Sequence, residues 1–377
     1  MIMKVCHFTT VHPYTDTRIF IKECCSLAAA GYETHLAAVN APDTLLNGVY
    51  LHGIRGTKGN RLMRMMQTSW RAYQTVRKIE ADIYHFHDPE LLPIGLLLRL
   101  SGKPVIYDCH EDVPKQIMEK HWIPRPLRRG VSWLFMKVEH LIAKRLSAVI
   151  AVHPAVEERM RKIGCLTINV NNYPLLKELH ITIESEREKE KAVCYIGAIS
   201  QARGINEMIE AISLTDATLY IAGRFSPQHL RREIVLQAGW KQVKELGQID
   251  RQEVKQVLAK AVAGLVIFQP VPHHLVSMPT KIFEYMSAGI PVIASNLPLL
   301  KAVIEEYECG ICVNPEDPRE IADAIIWMIN NPLHAARMGE NGRKAVEKQF
   351  NWEADMKKLL RLYTEIIDQE YSFRTNV

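Results

Sequence analysis

In residues 277–295, SMPTKIFEYMSAGIPVIAS, a short helical pattern runs directly into an apolar strand. Met278, Ile282, Phe283 and Met286 recur at helical spacing, and Gly289 and Pro291 separate them from Val292-Ile293-Ala294. Ser277 or Thr280 is expected to cap the helix, with Pro279 in its first turn. A strand that is apolar on both faces belongs to a parallel sheet covered by helices on both sides. One helix feeding one such strand is the repeating piece of a doubly wound α/β domain.

The same alternation continues in both directions. Upstream, short apolar or β-branched runs at 4–10, 34–39, 49–54, 82–87, 104–109, 148–153 and 167–172 read as strands. Helical patterns at 17–30, 60–80, 90–101, 126–147 and 154–163 lie among them. A second series has strands at 192–197, 218–223, 243–247, 264–269, 291–295 and 310–314, with helices at 204–213, 227–237, 251–261, 279–288 and 317–330. Between the two series, HITIESEREKEK (180–191) is charged and aperiodic, as an exposed connection is. A chain of 377 residues is too long for one ordinary core and suits two domains of roughly 150–200 residues. The expected division is 1–178, 179–350, and a final helix over 351–377 that packs back on the first domain. Such sheets bind ligands outside the carboxyl ends of their strands, so functional residues are expected just after strands.

With 47% apolar and 24% charged residues, the composition is that of a soluble globular protein and excludes global disorder. No apolar run reaches the ~18–20 residues of a membrane span, and no signal-peptide pattern opens the chain, so a cytoplasmic location is expected. The eight cysteines form no disulfide framework, and Cys309 and Cys312 are an isolated CxxC pair without a second pair to complete a zinc site. The basic residues cluster at Arg55, Lys58, Arg61, Arg64, Arg71, Arg77 and Lys78, and again at Arg125, Arg128, Arg129, Lys137, Lys144 and Arg145. Trp122, Trp133, Leu134 and Phe135 accompany the second cluster, which reads either as a solvated helix face or as a peripheral contact with an anionic membrane.

After the first strand of the second series comes GAISQARGI, where Gly197 ends the strand and Arg203-Gly204 open a helix. Helix-terminal amides and an adjacent guanidinium make a diphosphate site. Within 277–295, Lys281 and Glu284 leave the apolar stripe. They read either as an i, i+3 ion pair of ~0.2–0.5 kcal/mol, or as a carboxylate free to accept hydrogen bonds from a ribose. In the first series, YDCHED places His110, Glu111 and Asp112 after the fifth strand. HFHDPELLP places His85, His87, Asp88 and Glu90 after the fourth, with Asp88 expected as a helix cap. No acidic set has octahedral spacing, so no metal is expected. Asp16 can cap the first helix, whereas Arg18 sits at the helix's positive end and is expected to serve an anionic acceptor.

Taken together, HPYTDTRIFIKECCSLAAAGYE, FHDPELLPIGLLLRLSGKPVIYDCHED, YIGAISQARGI and SMPTKIFEYMSAGIPVIAS resemble one branch of the retaining glycosyltransferases of family 4 over nearly the whole chain. The resemblance implies the GT-B fold: α/β, two facing Rossmann-like, doubly wound domains with an interdomain cleft. It also implies that Arg203 contacts the nucleotide diphosphate, that Glu284 binds the donor ribose, and that His110 contacts the transferred sugar. The base is expected at backbone near Gly247 and Gln248, with Gly197, Gly204, Thr280 and Lys281 completing the donor site. Three positions depart from the family pattern. Ala198 replaces an arginine, Val276 replaces a glutamate eight positions before Glu284, and VHPYTD replaces a glycine pair after the first strand.

The expected function is retaining transfer of a sugar from a UDP- or GDP-linked donor to an acceptor hydroxyl, in cell-surface polysaccharide or glycolipid synthesis. No cofactor, divalent metal or nucleic acid is expected. The expected partners are the nucleotide sugar, a carbohydrate or lipid-linked acceptor, and an anionic membrane at the cytoplasmic face. A nucleotide-sugar epimerase of the same fold is the alternative, and a binding protein without catalysis a third reading. Dinucleotide oxidoreduction is disfavoured because neither half contains GxGxxG.

Overall fold

In this computed structural model the described residues are 2–57, 61–110, 112–120, 123–152, 154–179 and 189–375. Lys58, Glu111, Trp122 and most of the charged connection at 180–191 lie outside them. The chain divides into two units, Met1–Asn172 with Asp355–Val377, and Tyr173–Ala354. The last helix, Trp352–Thr375, therefore belongs from Asp355 onward to the first unit.

The first unit holds β1 (Lys4–Phe8), β2 (Glu33–Val39), β3 (Thr44–Leu46), β4 (Val49–Ile54), β5 (Ile83–Phe86), β6 (Val105–Cys109), β7 (Ala148–Ala151) and β8 (Thr167–Asn169). They form one sheet in the order β3-β4-β2-β1-β5-β6-β7-β8, in which β3 pairs antiparallel with β4 and the other pairs are parallel. The second unit holds β9 (Ala192–Ile196), β10 (Thr218–Ala222), β11 (Val243–Gly247), β12 (Ala263–Val266), β13 (Val292–Ser295) and β14 (Gly310–Val313), all parallel in the order β11-β10-β9-β12-β13-β14. In each sheet the strand order reverses at one point, between β1 and β5 and between β9 and β12, and ligands bind beside such a reversal.

The strands form where the sequence is continuously apolar: β7, β12 and β13 are buried at every residue. Thr280–Ser287 buries Ile282, Phe283, Tyr285 and Met286 under the second sheet, each contributing roughly 1.5–3 kcal/mol by leaving water. Several local expectations are corrected. Neither Ser277 nor Thr280 caps that helix; Pro279 takes the N-cap position, extended at φ −71° and ψ 134°, and its side chain has no acceptor to make a cap hydrogen bond. Asp88 likewise makes no cap hydrogen bond and instead accepts from Thr9 Oγ1 at 2.7 Å and lies 2.9 Å from His12 Nδ1. The expected helix at 17–30 begins as a π-helix, Thr17–Cys24, before becoming α-helical at Cys25–Ala29. Asp16 does cap it, accepting from the Arg18 and Ile19 amides.

Candidate active site

The second unit gathers Gly197, Arg203, Gly204 and Lys281 around the reversal between β9 and β12. Gly197 follows β9 with φ +134°, and a Cβ there would lie 3.2 Å from Lys281 Nζ and 4.0 Å from Arg203 Nη1. Only glycine keeps this ledge open, because a side chain would be strained and would cover the lysine. Gly204, at φ +71°, starts the helix Ile205–Ser213, and a Cβ there would meet the Ile267 carbonyl at 2.1 Å. The helix start is thus pressed against the residues that follow β12. Neither this helix nor Thr280–Ser287 has a side-chain cap, so the first-turn amides of both are left for a ligand.

Lys281 is the most unusual group in this unit. Its side chain is buried, its Nζ has no hydrogen-bond partner, and it sits 3.6 Å from the centroid of the Tyr195 ring. Burial, with Arg203 beside it, holds the amine well below the ordinary lysine range. Arg203 is half-buried; its Nη1 donates to the Ala198 carbonyl at 3.3 Å and its guanidinium lies 5.8 Å from the Phe268 ring centroid. An anion placed here would stabilise the charged form of this amine beside the guanidinium.

Glu284 does not pair with Lys281. It accepts from Arg251 Nη1 at 2.8 Å, and Arg251 also donates to Glu178 at 2.6 Å, so of the two readings of this helix face the i, i+3 pair does not form. Lys281 turns under the sheet onto Tyr195, while Glu284 stays half-exposed. Thr280 is exposed at the helix start. Gly247, at φ +68°, ends β11 and accepts from the Gly223 amide at 2.7 Å; Gln248 beside it is exposed. Val276, where the family has glutamate, is 46% exposed.

His110 follows β6 in the first unit, half-buried, with Nδ1 3.7 Å from Asp108 Oδ2. Arg18 is corrected from an acceptor contact to a buried structural cation: its Nε and Nη2 each donate to Asp108 at 2.9 Å. Burial opposes the charge on Asp108, but Arg18, His110 and His87 together outweigh it and hold the carboxyl well below the usual range. Nothing in the sequence marked Asp108, which sits inside an apolar strand and reads as a strand residue. Two groups among the described residues have metal-ligand types at ligand spacing, His7 with Glu23, His85 and His87, and His87 with Asp108 and His110.

Two parallel, doubly wound units, one with a cationic site at its strand-order reversal, make up the GT-B architecture, and solved structures agree. Sucrose-phosphate synthase from Thermosynechococcus elongatus superposes with a TM-score of 0.78 at 20% identity, covering 97% of this chain and all of that one. Anabaena HepE in complex with UDP and glucose superposes at 0.74 and 16%, covering 96% and 100%. Residues 177–345 match glycosyl transferases group 1 and residues 21–168 match glycosyltransferase family 4; the chain belongs to this glycosyltransferase family and is an enzyme of that class. A phosphatidyl-myo-inositol mannosyltransferase of Mycobacterium leprae is 22% identical over 358 residues, 90% of either chain. An MMP α-(1→4)-mannosyltransferase of Mycolicibacterium hassiacum is 20% identical over 313 residues, 79% of this chain and 74% of its own.

Proposed function

We propose that the protein transfers a sugar, with retention of anomeric configuration, from a UDP- or GDP-linked donor to an acceptor hydroxyl in the synthesis of a surface polysaccharide or glycolipid. The observation that carries this reading is the buried, unpartnered Lys281 amine beside Arg203 at the carboxyl end of β9, flanked by two uncapped helix starts. That arrangement suits a diphosphate: two negative charges, many acceptor oxygens and a demand for amide donors. In the reaction the bond from the anomeric carbon to the diphosphate oxygen breaks and the acceptor oxygen bonds to the same face of that carbon. The acceptor proton passes to the leaving phosphate. Arg203, Lys281 and the helix amides stabilise the charge that develops there, and the step needs no divalent metal. Glu284 is assigned to the ribose hydroxyls, backbone at Gly247 and Gln248 to the base, and His110 to the transferred sugar.

The acceptor side is read from the helix Arg125–Ala143. Leu127, Val131, Leu134, Val138 and Leu141 form an exposed apolar stripe, with Trp133 at 58% exposure and Arg125, Arg129, Lys137, Lys144 and Arg145 around it. A second copy would set like charges against each other, whereas an anionic lipid surface complements them. Among the described residues no helix is long and apolar enough to cross a membrane. Binding to vesicles containing phosphatidylglycerol is expected, and no binding at low salt would remove this part of the proposal. For the reaction, incubation with a panel of nucleotide sugars and glycolipid acceptors should give a glycoside of unchanged anomeric configuration. An isomerised nucleotide sugar formed with no acceptor present would favour the epimerase alternative instead.

A further inference from the structure

The strand-order reversal of the first unit, between β1 and β5, is not open. It is filled by His7 on β1, His85 on β5 and His87 just after it, all fully buried, with Glu23 from the π-helix against them. His7 Nδ1 lies 3.0 Å from His87 Nε2, and Glu23 Oε2 lies 3.6 Å from the first and 3.8 Å from the second. His85 adds a ring nitrogen, and the four ligand atoms all fall within 4.8 Å of one another. A tetrahedral ion with bonds of ~2.0–2.1 Å holds its ligand atoms about 3.3 Å apart, which is the spacing this group approaches.

The atoms behind the ligands complete the pattern. His87 Nδ1 is 3.1 Å from Asp108 Oδ2, and Tyr363 OH is 3.1 Å from His7 Nε2 and 2.8 Å from His85 Nδ1. Each histidine thus has one ring nitrogen held by an outer partner and the other turned toward Glu23 or its neighbours, as ligating histidines do. The outer partner of His85 is at Nδ1, which leaves Nε2 for the ion.

We infer that His7, Glu23, His85 and His87 form a closed four-ligand zinc site that is structural in role and separate from the sugar-transfer chemistry. A metal-free hydrogen-bond chain accounts for only part of the geometry. In it, His87 Nδ1–H donates to Asp108, His7 Nδ1–H to His87 Nε2, Tyr363 O–H to His7 Nε2, and His85 Nδ1–H to Tyr363. That chain leaves His85 Nε2 and Glu23 Oε2 buried without a hydrogen-bond partner, while Glu23 Oε1 lies 3.1 Å from Arg18 Nε. Each such group costs about 1–3 kcal/mol, more when charged. An ion among the four ligands satisfies all of them and displaces the proton between His7 and His87. Arg18 Nε stands 3.1 Å from Glu23 Oε1 and also serves Asp108. The expectation of no metal looked for acidic sets close in sequence; these ligands come from positions 7, 23, 85 and 87 and have no linear signature.

The test is elemental analysis of the full-length protein, produced in zinc-supplemented medium, dialysed against metal-free buffer and passed over a sizing column. Roughly one zinc per chain is expected, with a Tm that falls when the ion is stripped by a strong chelator and recovers on adding zinc chloride. Cobalt exchange should give the intense visible bands of a tetrahedral site. His85→Ala and Glu23→Gln should each lose most of the zinc. The wild-type measurement stands alone if those variants do not fold. A wild-type protein that keeps no zinc, and whose Tm does not respond to zinc chloride, overturns the inference. Stoichiometric retention of another metal overturns the zinc assignment. Neither result depends on finding the donor or acceptor.

Discussion

The two sheets reverse strand order in the same way, yet their strand ends are finished differently. In the first unit, Arg18 is paired bidentately with Asp108, and His7 and His87 are within hydrogen-bond distance of each other. In the second, Lys281 is buried with no hydrogen-bond partner, and Arg203 donates to the Ala198 carbonyl and lies over the Phe268 ring without a carboxylate partner among the described residues. Paired buried charges hold a fold together, and breaking one pair is costly. Unpaired buried charges cost stability until a ligand arrives. The Arg18–Asp108 pair of the first unit is therefore a point of stability, and the unpaired cations of the second are where we propose the donor binds.

Substitutions should separate the two. Arg18→Met leaves Asp108 and Glu23 buried without their cation, and a loss of ~3–5 kcal/mol in urea unfolding is expected; a loss under 1 kcal/mol would mean the pair is not buried as described. Arg203→Ala should cost about 10²–10³ in kcat, or ~2.7–4 kcal/mol, while leaving unfolding almost unchanged; near-normal turnover would remove Arg203 from the site. Lys281→Met should move the two properties in opposite directions. Donor binding weakens, while the ligand-free protein gains a Tm of about 2–4 °C, the shift expected of roughly 1 kcal/mol in a domain of this size. A fall in both would make Lys281 a structural residue.

The pH dependence has a definite sign. In the free protein the Lys281 amine is held well below its ordinary range by burial and Arg203, so its folded-state pKa lies below the unfolded one. The unfolded chain then binds more protons between the two values, and this residue's contribution to stability rises with pH across that window. A bound diphosphate restores the charge, so binding should take up a proton. Calorimetry of UDP binding in two buffers of different ionisation enthalpy measures that uptake, and identical observed heats in the two buffers would refute it. The smallest effect is expected for Glu284→Gln, about tenfold in KM for the donor, since a neutral amide still accepts one hydrogen bond.

The parallel strands were legible because burial on both faces leaves no polar alternation to misread, as in Val292–Ser295. Gly197, Arg203, Gly204, Lys281 and Glu284 could be proposed because they follow strands or open helices. The burial of Lys281 was not legible because Thr280–Ser287 is buried on nearly every side, so an amphipathic reading has no wet face to assign. The caps failed for a related reason: Asp88 spends its acceptors on Thr9, Thr10 and His12, far away in sequence. The histidine cluster was illegible because strand pairing aligns His7 with His85 across a gap that no sequence pattern spans.

The π-helix Thr17–Cys24 has a consequence for how this chain tolerates change in length. Its i→i+5 bonding, seen at Ile21 N to Asp16 O, sets Glu23 over Arg18 on one face, whereas an α-helix would turn them about 140° apart. Deleting one residue between them would give a better-wound helix and a worse protein, since every later side chain of the segment would rotate away from its partner. A single-codon deletion here, harmless by any propensity scale, should be among the least tolerated in the chain.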